Sequence, residues 1–374
     1  LGRALLASGD LAGAELELGR ALAAGLADAE MAPHMAALWL RQGKPHLVVS
    51  RYAELAMPDA LQQAALRTQV AQALGDLGQK EDADRQLAAV LLAAPGFAPA
   101  LTAQARLLAE RGDAPAARRV IGDLVQRQTE HAPAWVLQGD LLSQLPAELP
   151  QAVVAYRKAL ALNKRLPEAH GGLITALLLQ RDVSAAQAQA ASMAQALPGS
   201  PATLYFQALV AYQSGDLARA RELVDLLTRG ASPNAQVALL AGMTHLGLGQ
   251  LEQAEVLLAR AAALAPQRAE PRREIARLLL RRGQPARALE HLGPLLAEPS
   301  ADAQALSIAS QAHARLGDFR AADAAVARAK ALQPGDTGIR TAAATLQIDR
   351  GLAEPGLREL QGAAQDQADS LDAD

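Results

Sequence analysis

The stretch VALLAGMTHLGLGQLEQAEVLLARAAALAP, Val237–Pro266, decides how the rest of the chain is read. Before Gly249, apolar residues recur at helical spacing from Val237 to Leu248. After it come Ala254, Leu258 and Ala261, whose offsets of four and three place them on one helical face. Pro266 closes the stretch where it interrupts no helix interior. The unit is helix, tight turn, helix, with glycine in the turn because it accepts positive φ.

The same phase recurs at Gly9, Gly43, Gly78, Gly112, Gly215, Gly249, Gly283, Gly317 and Gly351, in steps of 34 or 35 residues. The interval between Gly112 and Gly215 is 103 residues, three repeats with one inserted residue, so Ala147 and Arg181 take the equivalent places. Five residues after each phased position comes a small residue, from Ala14 and Ala83 through to Ala322 and Gly356, with Val48 the exception. Four further on is a bulky apolar group such as Leu18, Tyr52, Leu87, Ile121, Tyr156 or Leu258, and three more add Leu55, Val90, Leu124 or Met193 to that face. The copies around Val48 and around Arg181, whose bulky place holds Ala190, are expected to pack loosely. Pro294 falls inside a second helix and should kink it or end it early.

Composition agrees with helix pairs. Of 374 residues 51% are hydrophobic but only 2% aromatic, with 36 basic and 39 acidic side chains and no cysteine. That apolar content excludes a disordered chain, and the near-balanced charge provides no overall field for nucleic acid or an anionic membrane. Alanine and leucine must supply the packing, and sparse Val and Ile argue against sheets. Without cysteine there is no disulfide framework or thiolate chemistry in these residues. None of the seven histidines (His34, His46, His131, His170, His245, His291, His313) makes a metal-binding pair, and no nucleophile elbow, phosphate loop or dinucleotide fingerprint occurs. No catalytic, metal or cofactor site is predicted, and no apolar run is long enough to span a membrane.

Period, turn glycine, small residue and closing proline together resemble the tetratricopeptide repeat. Trp135, Gly139, Ala152, Tyr156 and Ala159 fall on that family's tryptophan, glycine, alanine, aromatic and alanine places, apart from the residue inserted within Leu145–Pro150. The resemblance implies an all-α tetratricopeptide-repeat α-solenoid, a right-handed superhelix of about ten helix-turn-helix units stacked on neighbours. Residues 1–363 would form the array and 364–374 an acidic, frayed tail with Asp366, Asp369, Asp372 and Asp374. The first helices would line a concave groove, its floor made by residues ten, six and three before each phased position. In mid-chain these are Tyr205, Leu209 and Tyr212, then Leu239, Met243 and Leu246, then Arg273, Arg277 and Leu280. An aromatic and methionine patch leading into arginines suits an extended or helical peptide with an acidic end. On the competing reading the apolar residues pack between helices, and Arg272, Arg273, Arg277, Arg281, Arg282 and Arg287 are a solvated face near Glu270, Glu274 and Glu290.

Longer stretches resemble one branch of the family more closely. Gly9–Leu22 (GDLAGAELELGRAL), Met31–Leu55, Gln138–Leu162, Ser200–Leu227 and Leu239–Leu296 are similar, in order and spacing, to the tetratricopeptide lipoprotein of the PEP-CTERM/exosortase system of Gram-negative bacteria. This implies a non-catalytic scaffold, periplasmic or attached to the outer membrane, serving exopolysaccharide export, biofilm matrix assembly and PEP-CTERM protein sorting. Its partners would be proteins or peptides in the groove and the exopolysaccharide machinery, and its lipidated cysteine would lie upstream of Leu1. A chain that begins mid-repeat reads as a segment of something longer. One alternative is the repeat region of a larger enzyme such as a glycosyltransferase. A cytoplasmic co-chaperone is less favoured, because chaperone-tail clamps of this fold use lysine and asparagine where this chain has Thr68, Gln72, Thr102 and Arg106.

Overall fold

The computed structural model describes residues 1–8, 10–230, 234–297 and 301–372, with side chains at all of these except 7, 8, 230 and 366–372. Gly9, Asp374 and the side chains of Asp366, Asp369 and Asp372 therefore lie outside the described residues. Within them are 22 α-helices and no β-strand. They alternate as first and second members of a pair, for example Ala98–Glu110 with Ala114–Arg127, and Ala235–Gly247 with Leu251–Leu264. The chain forms two compact units, residues 1–206 and 207–374.

The turns show why the phased glycines recur. From Gly43 to Gly351 the described ones have φ between 68° and 85°, the left-handed region that a side chain disfavours. At Gly249 the glycine amide donates to the Leu246 carbonyl and the next amide, of Gln250, to that of His245, at 3.1 and 2.9 Å. This is the capping pattern that satisfies the last carbonyls of a helix. At Arg181 the same pair of bonds forms, its amide donating to the Leu178 carbonyl and that of Asp182 to the Leu177 carbonyl, and Arg181 is the one non-glycine residue with positive φ (62°) among those described. At Ala147 the inserted residue is instead absorbed by a 3-10 turn, Pro146–Glu148. An aspartate then caps many second helices, as Asp113, Asp182 and Asp318 accept from the amides of Ala116, Ala185 and Ala321.

Each small residue five places beyond the turn is buried, from Ala14 to Gly356. It lets the two helices approach, and the bulky residue one turn later fills the gap to the next repeat. Tyr156 shows this most fully. Its ring lies so close to Gly139 and Gly172 that a Cβ on either would come within 2.6 or 2.4 Å of a ring carbon, and its hydroxyl donates to Asp140 Oδ1 at 2.7 Å.

The two irregular copies are not loose. Val48 and Tyr52 are fully buried, with Tyr52 stacked on Trp39 at 5.6 Å, although their helix, Pro45–Tyr52, ends before Leu55 can join the face. In the copy of Arg181 the volume missing at Ala190 is made up elsewhere. The Phe206 ring sits over Gly171, where a Cβ would meet it at 2.4 Å, and Ala190 and Met193 are buried. Pro294 does shorten its helix. Pro285–Leu296 has 12 residues against 14 in Leu251–Leu264 and Phe319–Leu332.

Candidate functional site

Within the second unit the first helices Ala235–Gly247, Ala269–Arg281, Ala303–Arg315 and Thr337–Asp349 pack directly on one another. Each second helix packs against the first helix of its own pair and that of the next pair. The first helices thus form an inner layer, and their free faces are where a ligand could lie.

Leu239, Met243 and Leu246 are half-buried on Ala235–Gly247, and Leu209 and Tyr212 are half-buried on the preceding first helix, Pro201–Gln213. Leu239, Met243 and Leu246 rest one side on the core around Leu258, Ile275 and Leu279 and leave the other open. Leu280 is buried and is not part of a floor. Tyr205 falls in the first unit, half-buried and edge-on to Phe206 at 5.2 Å. Burial pushes the Tyr212 phenol above its ordinary range, and the Glu274 carboxylate adds to this.

The arginines divide into structural and available ones. Arg273 donates to Asp302 at 3.1 and 3.4 Å, and Asp302 in turn caps Ala303–Arg315 by accepting from the Ala305 amide at 2.6 Å. Arg282 pairs with Glu255 at 2.7 Å and Glu252 at 3.3 Å, and Arg287 with Glu255 at 2.6 Å, joining successive repeats. The acids that neutralise the cluster are thus Glu252, Glu255, Glu274 and Asp302, while Glu270 pairs with Arg268. Arg277 is exposed and donates to Glu274 one turn back on its own helix. Arg281 is exposed and has no partner among the described residues.

Exposure also revises which places line the inner layer. The place six before the turn is open, as at Arg106, Met243, Arg277 and Gln311. The place ten before it is buried at Thr68, Thr102 and Ser307; the Thr68 and Thr102 hydroxyls donate back to the carbonyls of Ala64 and Ala98, each at 2.8 Å. The place two before the turn was missed by the sequence reading, yet Asp76, Glu110, Arg281, Arg315 and Asp349 are exposed there. A column of polar residues at the 34-residue period was the available signal.

In the first unit Gln72, Asp76, Arg106 and Glu110 line a cavity of about 220 Å³ on the corresponding face. Burial raises the Asp76 carboxyl above the usual range, and the Arg106 guanidinium opposes it. Asp140 is likewise raised by burial, against the Tyr156 hydrogen bond and Arg106. This lining carries both signs of charge.

The buried histidines are tied into packing. Gln189 donates to His170 Nδ1 at 2.6 Å and His170 Nε2 donates to the Lys164 carbonyl at 2.9 Å, while His245 Nδ1 donates to Gln250 Oε1 at 2.5 Å. Among the described residues no group of three or more acidic or histidine side chains could hold a metal ion, and no helix is long and apolar enough to cross a membrane.

Helix pairs on a 34-residue period, a left-handed turn between them that is glycine in most copies, and a buried small residue followed by a buried apolar one on most second helices decide the architecture. The fold is a tetratricopeptide-repeat α-solenoid. No protein-family model matches the chain, and no curated protein matches it. Solved structures do. The APC/C hetero-tetramer Cut9-Hcn1 shares 13% identity, covering 97% of this chain and 85% of that one at a TM-score of 0.54. The human IFIT1 dimer with m7Gppp-AAAA shares 12%, covering 91% and 90% at 0.54. A tetratricopeptide repeat protein from Parabacteroides merdae ATCC 43184 shares 19%, covering 68% and 99% at 0.49. At such identities the likeness to Cut9-Hcn1 and to IFIT1 shows the fold alone.

Proposed function

We propose that the solenoid is a non-catalytic scaffold that holds a peptide segment of a protein partner on the inner layer of its second unit, across Leu209, Tyr212, Leu239, Met243 and Arg277. The observation that carries this is the half-open row of apolar side chains on successive first helices, ending at the exposed cations Arg277 and Arg281. Apolar anchors of a peptide would cover Leu239 and Met243, which already have a packed underside to hold them in place. An acidic residue beyond them would meet Arg281, which is exposed, and compete with the half-buried Glu274 for Arg277. Arg273 serves by fixing the next helix through Asp302. Tyr205 belongs to the first unit and is left out of this patch. A pull-down comparing wild type with Tyr212→Ala plus Arg277→Glu tests the patch. The double variant should lose the partner, and equal recovery by both would remove the patch from consideration.

The finer assignment is an envelope scaffold linked to exopolysaccharide export and PEP-CTERM sorting. What supports it is the similarity of Ser200–Leu227 and Leu239–Leu296 to that lipoprotein family. Fractionation of the native host should then place the protein in the periplasm or with the outer membrane. Recovery in the cytosol would contradict it.

A further inference from the structure

The repeat register supplies a background against which departures stand out. Ten places after the phased residue, most second helices carry a small side chain, as at Ala88, Gly122, Ala191, Ala259, Gly293 and Ala327, with Asp225 and Gln361 among the exceptions. The copy phased at Ala147 carries Arg157 there. Seventeen and eighteen places after, four loops read Pro95-Gly96, Pro198-Gly199, Pro266-Gln267 and Pro334-Gly335 and others, such as Thr129-Glu130, lack the proline, but this copy alone places two cations there, Lys164-Arg165.

The three departures meet in space. Arg157, Lys164 and Arg165 line one cavity of about 810 Å³ in the first unit, together with Gln189, Ser192 and Gln195. It lies between the helices Leu149–Leu162, Pro167–Leu179 and Val183–Ala196. No aspartate or glutamate lines it, and none of the three cations has a carboxylate partner among the described residues. Elsewhere arginines bridge repeats, as Arg118 does to Glu148 at 3.3 Å and Arg350 does to Asp323 at 2.5 Å. The wall is fixed as well. His170 holds the Lys164 carbonyl and is itself held by Gln189, and Arg165 Nε donates to the Ala196 carbonyl at 3.4 Å.

We propose that this cavity is a second docking site, which takes an acidic peptide segment of a protein partner. It is independent of the inner-layer patch. Three cations without acids make an uncompensated positive site in a chain whose net charge is -3. All three are exposed, so they form no desolvated cradle of the kind that holds a small inorganic anion against water. A peptide supplies what the rest of the lining asks for: backbone groups for Ser192 and Gln195, and apolar surface for Leu160 and Pro198.

Fluorescence anisotropy with a fluorescein-labelled decapeptide of alternating glutamate and glutamine, and an all-glutamine control, tests this on the full chain. The acidic peptide should bind wild type in a salt-dependent way. It should weaken at least about tenfold in the Arg157→Glu, Lys164→Glu, Arg165→Glu variant and by less in the corresponding triple Gln variant, and hold in Tyr212→Ala plus Arg277→Glu. The triple Gln variant changes only exposed side chains, so it reports binding even if charge reversal disturbs folding. Equal binding by wild type and the triple Gln variant would overturn the proposal. So would millimolar inorganic phosphate that displaces the peptide and binds alone, or a single-stranded oligonucleotide that binds more tightly than the peptide.

Discussion

Arg181 stands in a left-handed conformation that the other described turns of its kind assign to glycine, and the strain is legible in the sequence once the period is known. Relieving it should stabilise the chain. Arg181→Gly removes about 1–2 kcal/mol of strain, partly offset by glycine's larger unfolded-state entropy, for a net gain of about 0.5–1 kcal/mol. A higher melting temperature checks this, and an unchanged or lower one would count against the turn geometry. The reverse case is Gly172, where a Cβ would strike the Tyr156 ring. Gly172→Ala should cost about 1–3 kcal/mol by overpacking. Gly122→Ala, with no atom near its Cβ position, should instead gain about 0.5–1 kcal/mol. Tyr52, at the equivalent place of an earlier repeat, links its own interface to pH. Burial, then the Asp28 carboxylate, pushes its phenol up to about 12 from 10.0, with Arg51 opposing. A raised folded value means that stability is intact below pH 10 and is lost as pH rises toward 12. Denaturant melts over that window should fall less steeply for Tyr52→Phe than for wild type.

At the scale of helices, the pairs were readable because offsets of four and three from each turn mark the buried face, and Ala254, Leu258 and Ala261 are all buried. The shortened helix at Pro294 followed from the missing amide. What could not be read was which groove places are open. Thr68 and Thr102 look like polar floor residues, yet each returns its hydroxyl to its own helix and is covered by a neighbour. Arg273 looked like part of a basic patch, but its partner Asp302 comes 29 residues later and is brought near only by stacking. Stacking also sets the energetics. Leu258 is fully buried, so Leu258→Ala should cost about 2–5 kcal/mol. Because each pair depends chiefly on its neighbours, hydrogen exchange should quicken first in Ala235–Gly247 and Leu251–Leu264. A uniform loss of protection along the chain would contradict that.

Over the whole molecule, few aromatics and a near-neutral charge are what a stack of alanine- and leucine-rich helix pairs requires, since each interface is thin. Ion pairs such as Arg282 to Glu255 tie repeats together and use up cations that a sequence reading counts as free. Two surfaces are left over, the apolar row on the inner layer of the second unit and the acid-free cavity of the first. Both offer contact area and charge, which is what a scaffold needs. The partner is proposed to lie on the inner layer of the second unit. Site-specific photocrosslinking in the native host tests it most directly, with the crosslinker placed at Met243 or, for comparison, at the exposed Val256 on a second helix. A discrete partner adduct is expected from Met243 and none from Val256; an adduct from Val256 with none from Met243 would overturn the proposed groove.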